Sequence, residues 1–251
     1  MGTRWESYSQ ALLAQHVPEW KRLVIDGRRN WVSTGFIDRV VHADADYVVH
    51  VDEDCFVQSR TGLLALIDAF ERDKSLVAAG VPDGGHYYRE HNPAALNLFF
   101  VVFRMDALRK AWEHKAQWPA ARFQPEYGAE VMRQHPALDE SRIKWAEAAE
   151  PYYGLFWTLM AAGGRFLYLG ENLKRSRWST QVLFAGQPIA EHLWYLRNWF
   201  SDEVMTGHDC ANVERYRQFQ AELLKRPGSD LRFRGSVARM NLRRLLRRTL
   251  T

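Results

Sequence analysis

The feature that most restricts the fold is an aliphatic run over residues 47–51 that ends directly in Asp52, Glu53 and Asp54. An apolar run of this length predicts a strand, and α/β folds bind their ligands beyond strand ends. Carboxylates this close repel one another, and a divalent cation relieves that repulsion while bridging to phosphate oxygens. The run therefore predicts a metal-diphosphate site, and an acidic turn after an edge strand is the alternative.

The order of the neighbouring segments predicts a βαβ unit. Residues 22–27 predict a strand that ends in Asp26, residues 35–42 predict a helix, and the acidic strand follows. Parallel strands of such a unit end at one edge of the sheet, so Asp26 and Asp52 are expected along the same rim. Further along the chain the sequence predicts a helix over 8–15 and strands over 75–81 and 96–103.

Together these segments resemble the nucleotide-sugar half of a GT-A glycosyltransferase. Residues 150–169 are similar to the acceptor-side helix and following strand of glycosyltransferase family 2, with Glu150 thirteen residues before Gly163. The resemblance covers roughly residues 4–200 and implies an α/β fold with a GT-A-like nucleotide-binding sheet flanked by helices. Only residues 1–4 are available for a strand before the first helix, so the first strand of that sheet is expected to be short or missing.

The resemblance also implies roles for individual residues. Glu150 would be the general base of an inverting transfer to a hydroxyl acceptor, with Glu147 as the fallback. A Mn²⁺ or Mg²⁺ cofactor would be held by Asp52, Asp54 and a late histidine, His192. The expected donor is a UDP-, GDP- or dTDP-linked sugar, and its expected contacts are Asp26, Asp52, Asp83, Arg89 and Asn92.

The positive charge of the chain is concentrated at its C-terminus. Residues 225–251 contain nine basic residues and one acid, whereas the whole chain carries only +4, so the remainder is mildly acidic. This distribution argues against nucleic acid as a partner. We expect a glycosyltransferase domain over 1–226 and a basic amphipathic tail over 227–251. The tail would either pack on the domain or bind an anionic membrane carrying a lipid-linked acceptor; a soluble saccharide acceptor is also open.

Composition and motifs narrow the remaining classes. A chain of 251 residues with 47% hydrophobic content can bury one α/β core, and its two cysteines are too few for a disulfide framework, which favours the cytoplasm. Phe56 stands where a haloacid-dehalogenase-type phosphatase requires Thr or Val. Two alternatives stay open: a sugar nucleotidyltransferase, although its Gly-rich loop is missing from residues 1–30, and a degenerate GT-A domain that acts as a membrane-surface scaffold.

Overall fold

The structure is a computed structural model that describes residues 4–25, 34–85, 89–136, 138–145, 150–172, 179–194, 235 and 237–242. It has a mixed α/β fold in which helices flank a mixed four-stranded sheet, and a second four-stranded sheet adjoins it. The fold class predicted from the sequence is confirmed at this level.

The described part of the chain contains α-helices α1–α6, strands β1–β8, and a helical segment at residues 237–242. The helices are α1 Arg4–His16, α2 Ile37–Val40, α3 Arg60–Arg72, α4 Met105–Glu113, α5 Pro125–Gln134 and α6 Tyr153–Ala161, with 3₁₀ helices at Lys115–Ala120 and Glu140–Arg142. The strands are β1 Tyr47–Val51, β2 Cys55–Val57, β3 Leu76–Pro82, β4 Leu96–Arg104, β5 Arg165–Tyr168, β6 Gly170–Asn172, β7 Ser179–Phe184 and β8 Gln187–Leu193.

The central sheet has the strand order β1-β4-β3-β5. Strand β4 runs antiparallel to both of its neighbours, and β5 runs parallel to β3. Strands β1, β3 and β5 therefore point the same way, and their C-terminal ends share one edge of the sheet. Every residue of β4 except Arg104 is buried, because side chains from both of its faces enter core clusters.

The second sheet positions the acidic turn. Its order is β2-β8-β7-β6, and all of its pairings are antiparallel. Strand β2 follows Asp54 immediately and pairs with β8 in a register that sets Cys55 opposite His192. The turn at residues 52–54 thus connects the two sheets and lies beside the C-terminal end of β8.

The predicted βαβ unit is wrong. Residues 22–25 form no strand, and Leu23 and Val24 are 58% and 39% exposed; Asp26 lies outside the described residues. Of the helix predicted over residues 35–42, only α2 (Ile37–Val40) is helical. Strand β1 pairs antiparallel with β4 and is only half-buried, because within the described residues it is an edge strand of the central sheet.

Other predicted elements are confirmed. The helix over 8–15 is part of α1, the strands over 75–81 and 96–103 are β3 and β4, and residues 150–169 contain α6 and β5. No helix among the described residues is long and apolar enough to cross a membrane.

Most of the predicted tail lies outside the described residues. Residues 237–242 are helical, and Val237 is 8% exposed and packs against Ala11 of α1. Leu242 is 58% exposed.

Candidate functional site

The acidic turn lies at a large cavity. Asp52, Glu53 and Asp54 line a cavity of about 1180 Å³, together with residues of β1 and the segment 21–25, which forms neither helix nor strand. The turn is held in place by its backbone, because the Asp52 N–H donates to the Phe99 carbonyl and the Cys55 N–H donates to the Asp52 carbonyl. Both carboxylates of the predicted metal site therefore reach the cavity wall from one short turn.

Asp54 and His192, two of the predicted metal ligands, form a buried pair. The His192 Nε2 atom lies 3.3 Å from Asp54 Oδ1, and the two residues are 5% and 6% exposed. The Phe99 ring stacks on the imidazole with centroids 4.1 Å apart, which fixes the ring plane. The His192 Nδ1 atom is buried and has no hydrogen-bond partner in the part of the chain that the structure describes.

A second histidine approaches the turn from β1. His50 Nδ1 lies 2.6 Å from the Leu98 carbonyl oxygen, and because a carbonyl only accepts, Nδ1 carries the proton. The other ring nitrogen, Nε2, lies 3.7 Å from Asp52 Oδ1. Phe36 stacks on this imidazole at 4.0 Å. Each of the two aspartates therefore has an imidazole beside it.

These side chains could hold a divalent cation only together with ligand atoms from outside the protein. Ligand atoms bound to one ion at about 2.1 Å lie about 3.0 Å apart in octahedral and about 3.4 Å apart in tetrahedral geometry. The Asp54–His192 separation of 3.3 Å falls in that range. No three His, Cys, Asp or Glu side chains of the described residues converge into a complete site. Phosphate oxygens and water would have to supply the remaining ligands, as they usually do for Mg²⁺.

A separate polar network surrounds Asp83 at the end of β3. Asp83 is fully buried and accepts hydrogen bonds from Asn97 at 2.6 Å, Tyr152 at 2.9 Å and Tyr153 at 2.8 Å. Burial, reinforced by the Asp83 charge, raises the pKa of both tyrosines, so they stay protonated and donate. Arg89 completes the network, with Nε 2.8 Å from Asp83 Oδ1. Asp83 is thus a buried charge that protein groups satisfy.

Arg89 connects this network to the predicted base. Its Nη2 donates to Glu150 Oε1 at 2.7 Å, and the two side chains are 14% and 26% exposed. Burial acts to lower the pKa of the Arg89 guanidinium, but its contacts with Asp83, Tyr152 and Glu150 raise that pKa overall. The guanidinium therefore stays charged and holds Glu150 against the end of β3.

Both polar atoms of the Asn92 side chain make hydrogen bonds to the backbone. Its Nδ2 donates to the Trp145 carbonyl at 2.7 Å, and its Oδ1 accepts from the Ala94 N–H at 3.0 Å. Contact of Asn92 or Asp83 with a donor stays a prediction that would require these bonds to rearrange.

The predicted residues fall into two groups at one sheet edge. Asp52 follows β1 and Asp83 follows β3, and their N–H groups donate to the carbonyls of Phe99 and Ala95 on either side of the start of β4. Asp54 and His192 belong with Asp52, whereas Arg89 and Glu150 belong with Asp83. Asp26 and Glu147 lie outside the described residues.

Sequence reasoning missed four contributors, namely His50, Asn97, Tyr152 and Tyr153. Of these, only His50 could have been identified from the sequence. It stands two residues before Asp52, and side chains two residues apart along a strand point to the same face.

Comparison with known proteins assigns no family: no protein-family model matches the chain, and no curated protein or solved structure matches it either. The class that the fold and site define is a mixed α/β protein in which two aspartates beyond a strand end line a cavity, and each has a histidine beside it.

Proposed function

We propose that the protein is a metal-dependent glycosyltransferase of GT-A type that moves a sugar from a nucleotide-diphosphate donor to a hydroxyl acceptor. The observation that carries the proposal is the Asp54–His192 pair, whose facing atoms are 3.3 Å apart at the strand-end cavity that Asp52 also lines. Cavities beyond the carboxyl ends of strands are where α/β sheets bind nucleotides. At about 1180 Å³ the cavity is larger than most small-molecule sites and can hold a nucleotide sugar.

The leaving diphosphate requires positive charge. Asp52, Asp54 and His192 would hold Mn²⁺ or Mg²⁺, which when bound acts as a Lewis acid toward phosphate oxygens. Without the cation, three acidic side chains at residues 52–54 would repel the phosphates. The protein groups therefore serve to fix the ion and orient the diphosphate at the end of β1.

The attacking hydroxyl requires a base. Glu150 Oε1 accepts from Arg89, and Oε2 makes no hydrogen bond to any described residue, so Oε2 is the oxygen that would take the proton. The carboxylate is 26% exposed and can be reached by an acceptor. A carboxylate base in this role implies a single displacement with inversion at the anomeric carbon.

The acceptor is a saccharide or a lipid-linked hydroxyl. The basic tail favours the lipid-linked acceptor, because clustered arginines attract anionic lipid surfaces. The enzyme would then work at the cytoplasmic face of a membrane as a peripheral protein.

A thermal-shift measurement tests this function. A ligand that binds only the folded state raises the melting temperature. UDP, GDP or dTDP should raise it with Mn²⁺ and much less without, and Asp54→Asn should remove that shift. Asp44→Asn is the matched control, because Asp44 is an exposed acid on the wall of the same cavity. If none of the nucleotides shifts the wild-type protein in Mn²⁺, the proposed function is wrong.

One observation favours the non-catalytic alternative. One carboxylate oxygen of the predicted base, Glu150, is already bound to Arg89 in an ion pair. A degenerate GT-A domain that serves as a scaffold would bind nucleotide without turnover. Slow metal-dependent hydrolysis of a nucleotide-sugar donor would indicate a transferase. Nucleotide binding without hydrolysis would favour the scaffold. Exchange of pyrophosphate into a nucleoside triphosphate would indicate a sugar nucleotidyltransferase.

A further inference from the structure

We propose that Tyr152 is a positioning residue, which acts through Arg89 to hold the Glu150 carboxylate in place for proton transfer. This inference rests on the role of Glu150 as the base in the proposed function and deepens it. The observation that carries it is the Arg89 Nη2 atom, which lies 2.7 Å from Glu150 Oε1 and 3.3 Å from the Tyr152 hydroxyl oxygen. Both contacts use one nitrogen, so Tyr152 reaches Glu150 through Arg89.

The first step is a comparison of two neighbouring tyrosines. The Tyr152 and Tyr153 hydroxyls donate to the same atom, Asp83 Oδ2, at 2.9 Å and 2.8 Å, and both residues are buried. Because the Tyr152 proton points to Asp83, a lone pair of its oxygen is left to accept from Arg89 Nη2. Tyr153 makes the bond to Asp83 without a hydrogen bond to Arg89 in the described part of the chain. The two tyrosines therefore differ in the contact with Arg89.

The second step is the orientation of the Arg89 guanidinium. Its Nε atom lies 2.8 Å from Asp83 Oδ1 but makes no hydrogen bond of suitable geometry within the described residues. Its Nη2 atom faces three acceptors: Glu150 Oε1 at 2.7 Å, Asp83 Oδ2 at 3.1 Å and the Tyr152 hydroxyl at 3.3 Å. The two N–H bonds of Nη2 are shared among these oxygens. Contacts at Nη2 therefore decide which carboxylate the guanidinium faces.

The third step is the competition between the two carboxylates. The Asp83 side chain is fully buried, whereas that of Glu150 is 26% exposed. Opposite charges attract more strongly where water is excluded, so the guanidinium by itself would turn toward Asp83. The Tyr152 hydroxyl opposes this turn, because it accepts from Nη2 and keeps that atom beside Glu150. Loss of this hydroxyl alone should therefore release Glu150 while Arg89 stays in the protein.

The consequence for chemistry lies in the direction of the accepting oxygen. A general base works only when its oxygen is within hydrogen-bond reach of the proton that it removes. With Oε1 held by Arg89, the direction of Oε2 is fixed as well. A released carboxylate would rotate about its side-chain bonds and accept the proton less often. The effect of Tyr152 should therefore fall on turnover and not on donor binding.

The first test measures stability and requires no turnover. Glu150→Gln is introduced into the wild type, into Tyr152→Phe and into Tyr153→Phe, and the urea midpoint is measured for each chain. Residues that act through a shared partner give non-additive effects, so Glu150→Gln should lower the midpoint less in Tyr152→Phe than in the wild type. Tyr153→Phe is the matched control, because it also removes a hydroxyl bond to Asp83 but no contact with Arg89. In that control Glu150→Gln should have its wild-type effect.

Two outcomes of this test would overturn the positioning role of Tyr152. One is an equal effect of Glu150→Gln in all three chains, which would mean that Tyr152 does not act on Glu150. The other is the same reduction in both tyrosine variants, which would mean that any loss around Asp83 disturbs Glu150.

The second test measures hydrolysis of a UDP- or GDP-linked hexose in Mn²⁺. Tyr152→Phe should lower kcat about 10- to 100-fold with KM little changed, because the base is misplaced while the donor still binds. Tyr153→Phe should lower kcat much less. An unchanged kcat in Tyr152→Phe, or an equal loss in Tyr153→Phe, would contradict the inference. If the wild type hydrolyses no donor, the proposed catalysis fails, and the stability comparison still decides whether Tyr152 holds Glu150 through Arg89.

Discussion

Asp83 and Glu150 are both carboxylates at one edge of the central sheet, yet they differ in burial and in hydrogen bonding. Asp83 is fully buried and surrounded by hydrogen-bond donors, whereas the Glu150 side chain is 26% exposed and its Oε1 accepts from Arg89. A buried carboxylate is stable only when such donors compensate for lost hydration. At the scale of single residues, Asp83 therefore supports the structure and Glu150 remains available for chemistry.

Glu150→Gln should lower turnover by a factor of about 10² to 10⁴, because an amide cannot accept the proton of the acceptor hydroxyl. Binding of a nucleotide diphosphate with Mn²⁺ should stay near the wild-type level, since Glu150 lies in the Asp83 group and not in the metal group. The measurements are steady-state kinetics and the thermal shift with UDP or GDP. An equal loss of donor affinity would place Glu150 in the donor pocket.

Arg89→Met should destabilise the fold by about 3 to 5 kcal/mol, the usual cost of leaving a buried charge without its partner. The charge left behind is that of Asp83. Urea unfolding measures the effect, and Arg133→Met is the control, because the Arg133–Glu130 pair lies at the surface and should contribute little. A loss no greater than in the control would mean that Asp83 does not depend on Arg89.

Helix α6 illustrates how a single glycine sets the packing of an element. A Cβ atom on Gly154 would lie 2.1 Å from the Trp118 carbonyl oxygen, so α6 can approach the 3₁₀ helix Lys115–Ala120 only because residue 154 has no side chain. The same helix begins at Tyr153, directly after Tyr152, and both tyrosines donate hydrogen bonds to Asp83. Packing of this element therefore positions the network that holds Glu150.

Gly154→Ala should destabilise the protein by about 1 to 3 kcal/mol through overpacking. Gly235→Ala is the matched control, because Gly235 is helical and nothing lies within 4 Å of its added Cβ; it should be neutral or slightly stabilising. Thermal or urea unfolding of both variants checks the difference. Equal stability of the two variants would contradict the close contact of α6 with Trp118.

The whole molecule combines a mildly acidic domain with a basic C-terminal segment. In a helix, leucines of the tail would gather on one side and arginines on the other: Leu242, Leu245, Leu246 and Leu250 against Arg243, Arg244, Arg247 and Arg248. In the described part of this segment, Val237 packs on Ala11 while Leu242 is exposed. Packing of Val237 on the domain therefore leaves Leu242 at the surface, and membrane binding stays a prediction.

Deleting residues 240–251 should abolish sedimentation with acidic liposomes and spare turnover on a soluble acceptor, because Val237 remains in place. The lost attraction is about 1 kcal/mol for each basic residue near the surface and should weaken with salt. Leu242→Asp should weaken sedimentation with little change in melting temperature, whereas Val237→Asp should lower that temperature. If the intact chain ignores acidic liposomes at low salt, a soluble acceptor is the better proposal.

The sequence by itself determined the elements whose signal is local. The continuous apolar run of β4, the helix and strand after Glu150, and the acidic turn after β1 were all readable, because side-chain periodicity and charge are properties of neighbouring residues. The shared rim expected for Asp26 and Asp52 stays a prediction, because Asp26 lies outside the described residues.

Only the tertiary structure decided which distant residues meet. Strand β1 pairs with β4 and not with the strand predicted over 22–27. His192 lies opposite Cys55 and beside Asp54. Arg89 forms ion pairs with both Asp83 and Glu150. Such contacts depend on strand register and core packing across many intervening residues, and no local pattern encodes them. Residues for a possible metal site could therefore be proposed from sequence, whereas the pairing of Asp54 with His192, and of Asp52 with His50, required the fold.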